Sequence, residues 1–268
     1  MKDNTLFLIP LVVMLLFASC SPEPEVSPVL DSTSPTPEKA NPIPCYFTSD
    51  PIEIDGRSDE VAWGQAPEIE LRFDGLGNPV SPTRASAQFL WDGKNLYVAI
   101  TAQDRDVSST LSHRDARLWE EDVLELFIKP MESSSVYYEF QFSPTNQIFD
   151  AYWVKRGTAL DEATPWNSRL RVAVLVEGTL NQSEDDDQGW TVELALPLAD
   201  LYHAGNSIPQ PGEAWKVAVC RYDYDRRWEA PLNTATAPVT ESGGFHSYEV
   251  YDSLQFQGPV PASSRVSH

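Results

Sequence analysis

The sequence predicts an all-β fold, an antiparallel, jelly-roll-like β-sandwich with short helical turns. Three observations carry that expectation. Trp, Tyr and Phe number 8, 10 and 11 and make up 11% of the chain, and such residues fit pleated, half-buried surfaces. Apolar and polar residues alternate with period two in short runs separated by turn residues. Helix-like patterning is confined to two short stretches, 58–65 and 198–203. With 268 residues and 41% hydrophobic content, the chain has enough apolar surface for one sizeable core.

Taken in order, the runs 85–90 and 96–102 flank Trp91-Asp92-Gly93-Lys94-Asn95. Asp-Gly and Asn favour tight reversals, so these runs read as a hairpin. Residues 123–128 form a further strand. Residues 136–142 and 148–153, joined by Pro144-Thr145-Asn146-Gln147, read as a second hairpin. A third pair, 170–176 and 190–196, brackets the acidic loop Glu184-Asp185-Asp186-Asp187-Gln188-Gly189. Runs 215–222 and 248–256 complete the set. Trp63, Trp91, Trp190 and Trp215 sit among apolar neighbours and read as core.

The N-terminus has a different character. Lys2 precedes an apolar run from Leu6 to Ala18 that ends in Phe17-Ala18-Ser19-Cys20. The run is short for a membrane span and fits the hydrophobic region of a signal peptide. Ala-Ser-Cys resembles a lipobox, which implies cleavage after residue 19 and lipid on Cys20. Ser21 in place of Asp points to the outer membrane rather than retention at the inner one. Residues 20–44 are rich in Pro, Ser, Thr and Glu and cannot bury enough surface to order themselves, so they read as an extended tether. The expected organisation is a signal peptide at 1–19, a tether at 20–44, a sandwich at 45–257 and a flexible tail at 258–268. Cys45 and Cys220 are the remaining cysteines. In an oxidising compartment they are permitted a disulfide, the alternative being two buried thiols.

Composition excludes some functions. A formal net charge of −21 repels phosphate backbones, which argues against nucleic acid. The four histidines, His113, His203, His246 and His268, include no pair at metal-ligand spacing, and HExxH, GxSxG and phosphate-cradling glycine loops are absent. Carboxylate pairs carry little information in a chain with 40 acidic residues.

The informative stretch is Trp119-Glu120-Glu121-Asp122-Val123-Leu124-Glu125-Leu126-Phe127-Ile128. Alternation puts Val123, Glu125 and Phe127 on one face of a strand and Leu124, Leu126 and Ile128 on the other. Burying Glu125 alone is costly, so it lines an open polar face or has a partner such as Arg221 or Arg114. An indole stacks on the apolar face of a pyranose ring, and a carboxylate accepts hydrogen bonds from vicinal hydroxyls. Trp119 and Glu125 are therefore candidate sugar ligands. Arg221, at a strand end in Arg221-Tyr222-Asp223-Tyr224, is a candidate for the same cleft.

Several frames together resemble family 9 carbohydrate-binding modules. They are Ile54-Asp55-Gly56 through Trp63, Leu90-Trp91-Asp92-Gly93 through Ala99, Trp119 through Ile128, Tyr137-Tyr138-Glu139-Phe140, Gly189-Trp190-Thr191-Val192-Glu193, and Phe245-His246 through Phe256. They stand in family order over nearly all of 45–256. The resemblance implies a β-sandwich that binds oligo- or polysaccharide, in a family often carrying structural Ca²⁺. It implies a ring clamped between two tryptophans with a hydrogen-bonding Glu, which match Trp119 and Glu125. A family Arg falls near Gln141, whose amide also bonds hydroxyls. The second Trp falls in Thr234-Ala235-Thr236-Ala237-Pro238, which has no aromatic residue. Trp228, Trp153, Tyr152 and Trp166 are candidates to replace it.

The function expected is therefore non-catalytic glycan binding by a lipid-anchored extracytoplasmic protein that requires no cofactor. A protein-interaction or scaffold sandwich is the alternative, since fold alone does not fix function. A glycoside hydrolase is less favoured, because it needs two carboxylates across one cleft.

Overall fold

The computed structural model describes residues 42–74, 84–205, 208–239 and 244–260. The segment read as a signal peptide, Cys20, most of the expected tether and residues from 261 onward lie outside these residues. The strands are β1 (Ile43–Phe47), β2 (Ile69–Glu70), β3 (Phe73–Asp74), β4 (Ala85–Trp91), β5 (Asn95–Gln103), β6 (Val123–Lys129), β7 (Tyr137–Phe142), β8 (Ile148–Trp153), β9 (Arg171–Glu177), β10 (Gly189–Pro197), β11 (Ala214–Asp223), β12 (Leu232–Ala235) and β13 (Asp252–Pro259). Among the described residues helical structure is limited to single turns at Trp63–Gln65, Leu118–Glu120 and Leu160–Ala163 and to the irregular segment Leu198–Ala204.

The strands run in the order β8-β7-β6-β11-β13-β1-β4-β5-β10-β9, with β12 against β11 and β3, and β2 against β4. All three expected hairpin pairs form: β4 with β5, β7 with β8, and β9 with β10. One strand departs from the antiparallel expectation. β1 lies between β13 and β4 and is parallel to both, so the sheet is mixed there. β1 also starts two residues inside the expected tether. The last expected strand starts late, because 248–250 turn before β13 begins at Asp252.

The sheet curls so that its two halves enclose the main core. Leu124, Leu126 and Ile128 of β6 meet Phe89 of β4, Val98 and Ile100 of β5, and Trp190, Val192 and Leu194 of β10 there. Trp63, Trp91, Trp190 and Trp215 are all buried, as their neighbours predict. A second cluster lies on the other face of the β8-β7-β6-β11 half and includes Val123, Phe127, Tyr137, Phe149, Trp153, Cys220 and Phe245. The alternation read in 123–128 thus holds residue by residue. A third cluster, with Ile52, Trp63, Leu90, Tyr97 and Ala99, covers the outer face of the β4-β5-β10 half.

Two turn motifs have clear local causes. At the β4–β5 reversal, Asp92 accepts hydrogen bonds from the amides of Lys94 and Asn95 at 2.8 Å and from the Tyr97 hydroxyl at 2.8 Å, and Gly93 takes φ +85°. Gly56 takes φ +90°, and a side chain there would meet the backbone of Leu175 at 3.0 Å. The carboxylate of Glu193 holds that turn in place. It accepts from the amides of Asp55 (3.0 Å) and Gly56 (3.1 Å) and from Trp63 Nε1 (3.0 Å).

Of the two states left open for the cysteines, the structure shows the buried thiols and not the disulfide. Cys45 and Cys220 are both free and buried. Cys45 faces the core between the two halves, while Cys220 belongs to the cluster on the opposite face of the sheet. Burial pushes both thiols well above their ordinary range.

Candidate ligand-binding hollow

The outer face of β6, β7, β8 and β11 holds a hollow of about 280 Å³ lined by Trp119, Glu125, Phe127, Glu139, Gln141 and Phe149, among others. Tyr222, Gly244, Phe245 and His246 close it from the opposite side of the sequence. Strand register makes the floor. Glu125 of β6 pairs with Gln141 of β7 on one side and with Cys220 of β11 on the other. Glu139 pairs with Phe127, so it lies diagonally from Glu125 on the same face.

Trp119 sits in the single turn Leu118–Glu120 ahead of β6. Acidic residues on either side fix this turn. Glu121 takes the amides of Thr110 and Leu111, at 2.6 and 3.1 Å. Asp122 takes those of Ser108 and Tyr224, both at 2.7 Å. The Tyr224 hydroxyl donates to the Trp119 carbonyl at 2.7 Å. The indole itself is partly exposed and meets Phe149 edge-on, ring centres 5.5 Å apart. The chain thus spends hydrogen bonds on orienting a ring that it leaves open on the solvent side.

Glu125 is the opposite case. It is buried, yet among the described residues its carboxyl receives no hydrogen bond. Burial, then the nearby Glu139, push its pKa well above the usual carboxylate range. Glu139 is buried too and its pKa is also raised by burial. Unlike Glu125 it is satisfied internally, by Gln141 Nε2 at 2.6 Å and Trp153 Nε1 at 2.8 Å. Gln141 Oε1 is buried and has no partner. The floor therefore offers two acceptor groups that the protein itself does not use.

The structure brings Trp119, Glu125 and Gln141 into one hollow. It does not bring Arg221 or Trp228 there. Arg221 is fully buried on the other face of β11, where its guanidinium meets Asp104 at 3.1 Å, Asp223 at 2.8 Å and the Gln103 carbonyl at 2.9 Å. The expectation that it shares the cleft is corrected, since Cys220 and Tyr222 face that way. Trp228 lies in the turn that starts at Asp225 and does not line the hollow. Of the other aromatic candidates, Trp153 lines it, but its N–H is held by Glu139.

Residues 234–238 contribute no ring. Ala235 and Ala237 are packed into the cluster beneath the hollow. Tyr222 and Phe245 instead supply aromatic lining, edge-on at 5.0 Å to each other. Sequence reasoning did not single out Glu139, Phe149, Phe245 or His246 as site residues. Glu139 shares alternation parity with Gln141, so a period-two reading of β7 was the available signal. His246 comes from a turn, where no periodicity points, and bonds the Tyr137 hydroxyl through Nδ1 at 2.8 Å.

Among the described residues, one group of carboxylates converges closely enough to suggest a cation. Ligand oxygens of Asp104, Asp122 and Asp223 lie within 4.8 Å of one another. Arg221 already contacts two of the three. Ca²⁺ takes six or more oxygens and would here meet a guanidinium, so these residues do not fit it. Burial, then Asp104, push Asp122 up to about 8. In the acidic loop, Asp187 is also used internally, taking the amides of Val107 (2.8 Å) and Thr179 (2.7 Å).

The family comparison decides what this sandwich is. Residues 54–230, more than half of the chain, match the carbohydrate family 9 binding domain-like family. The chain belongs to this family. A segment is 33% identical over 156 residues to endo-1,4-beta-xylanase A of Thermotoga maritima, spanning 58% of this chain and 13% of that enzyme. The match therefore covers only a small part of the enzyme's length. The fold is similar to that of a family 9 module from Caldicellulosiruptor kristjanssonii solved with cellotriose, with TM-score 0.56 and 14% identity over 84% of this chain and 98% of that one. It is also similar to a protein from Bacteroides uniformis ATCC 8492 to which carbohydrate binding is assigned provisionally, with TM-score 0.62 and 15% identity over 80% of this chain and 98% of that one. At these identities the two structures speak to the fold.

Proposed function

We propose that this family 9 domain binds carbohydrate without catalysis, with a pyranose ring stacked on Trp119 and its hydroxyls donating to Glu125 and Gln141. One observation carries the reading. An oriented, partly exposed indole and a buried carboxyl that receives no internal hydrogen bond open into the same hollow. Burying such a group without a partner costs free energy, and a ligand hydroxyl is the kind of partner that removes the cost. Family membership and the cellotriose bound by the C. kristjanssonii module support the choice of sugar over other ligands.

A hydrolytic role has less support. Glu139, the second carboxyl of the hollow, is committed to Gln141 and Trp153. Among the described residues the hollow therefore lacks the pair of free carboxylates that glycoside hydrolysis uses. The sequence features at Cys20 support a lipid-anchored protein, carried by the tether on the outer membrane in the periplasm or at the cell surface. Several acyl chains hold firmly, at about 0.8 kcal/mol per buried CH₂.

The test is calorimetry against a panel of oligosaccharides with the native protein and Trp119→Ala. Native protein binds at least one member, and the variant loses about 30-fold in affinity, as for a buried aromatic hot spot of about 2 kcal/mol. Absence of binding to every sugar, or full binding by the variant, refutes the assignment.

A further inference from the structure

We propose that the hollow selects a sugar carrying a free amine, so that a protonated amino sugar is preferred over its neutral or acidic counterparts. This rests on the carbohydrate reading above and names the ligand class within it. The argument is a balance of donors and acceptors. Glu125 receives no hydrogen bond among the described residues, and Gln141 Oε1 has no partner. Several donors beside them are already spent, and of the others that line the hollow the Tyr222 hydroxyl and His246 Nε2 remain. Gln141 Nε2 and Trp153 Nε1 both serve Glu139, and the Tyr137 hydroxyl and His246 Nδ1 serve each other. The unused acceptors, the two Glu125 oxygens and Gln141 Oε1, still outnumber these donors.

The charge balance points the same way. The groups facing Glu125 are Glu139 from β7, Cys220 and Tyr222 from β11, Tyr224 just beyond it, and Tyr251 and His246 ahead of β13. His246 is the sole basic member, with Nε2 at 3.9 Å from Glu139. Among the described residues no Lys or Arg lines the hollow. Arg156 is held by Glu249 and the His246 carbonyl, Lys129 by the carbonyls of Met131 and Glu132, and Arg221 lies on the other face. An ammonium brings three donors and the missing positive charge, and its bonds to a carboxylate are charge-assisted. A hydroxyl brings one donor and no charge. A uronate would add a further acid beside two buried carboxyls that burial already holds above their ordinary range. The aromatic lining favours a cation as well.

The experiment is calorimetry near neutral pH with four probes: a glucosamine trimer, cellotriose, an N-acetylglucosamine trimer and ethylamine. The glucosamine trimer should bind at least about tenfold tighter than either neutral trimer. Ethylamine should bind far more weakly, because it has no ring to stack. In Glu125→Gln, checked for folding by its melting curve, the difference between charged and neutral trimers should disappear. The native protein supplies a second readout. Its preference for the amine should weaken as pH falls, because burial and Glu139 hold the Glu125 carboxyl protonated well above the usual carboxylate range. Cellotriose binding as tightly as the glucosamine trimer overturns this proposal and leaves the carbohydrate reading intact. No binding by any trimer overturns both. Ethylamine matching the trimer overturns it too, since the site would then read an amine alone.

Discussion

Glu193 and Glu125 are the same residue type in comparable settings. Each stands mid-strand, each is buried, and each lies on the outer face of its half of the sheet. Glu193 is covered by its own chain and takes three donors, from Asp55, Gly56 and Trp63. Glu125 takes none among the described residues and faces a hollow. Burial raises both pKa values. A buried carboxyl is therefore not by itself a sign of function. What separates the two is whether the protein supplies the donors: it does for Glu193, and among the described residues it does not for Glu125.

The sharpest way to break this comparison is to delete each carboxylate and measure stability by chemical denaturation. Glu193→Ala strands two amides and an indole N–H, and it should cost about 3–5 kcal/mol. The Gly56 turn should loosen with it, seen as faster amide exchange at 55 and 56. Glu125→Met removes a carboxyl that has no internal partner and fills similar volume with apolar atoms. It should stabilise by about 1 kcal/mol while abolishing sugar binding. Equal destabilisation by the two changes would show that Glu125 is structural and that the hollow has no ligand.

A smaller effect is the dependence of stability on pH. Glu125, Glu139 and Glu193 are raised by burial, and Asp122 is pushed up to about 8. The folded state then keeps protons that the unfolded chain releases above about pH 4, so stability falls as pH rises. The loss runs from about 4, the ordinary carboxylate range, to about 8. Thermal melts should show a higher Tm near pH 5 than near pH 8, with about 2–4 °C for each kcal/mol. Glu125→Met should flatten this slope. A Tm that rises from pH 5 to pH 8 would contradict the assigned burial effects.

Much of the site could be read in the chain before any coordinates. Trp119 at a turn, followed by a strand with Glu125 on the face opposite Leu124 and Leu126, needs only the period-two rule. The frames at 54–63 and 189–193 proved to be two sides of one contact, with Glu193 gripping the Gly56 turn. Their separation in sequence hid that link. The missing second Trp was legible as an absence in 234–238. That Tyr222 and Phe245 supply aromatic lining instead was not, because the pairing that sets Tyr222 opposite Asn233 is a long-range register that no local pattern encodes.

Sequence alone determined which residues share a face within each strand, where the hairpins turn, and that an indole and a carboxyl stand six positions apart at the start of β6. Those are local properties, fixed by backbone geometry and neighbouring side chains. Tertiary structure decided which face of β11 meets the hollow. Register sets Cys220 opposite Glu125 and Arg221 opposite Leu124, sending Arg221 into the core and keeping Cys220 apart from Cys45. It also decided which carboxyl finds donors, because hydrogen bonds across 130 or more residues depend on how distant strands align, and no local pattern encodes that alignment.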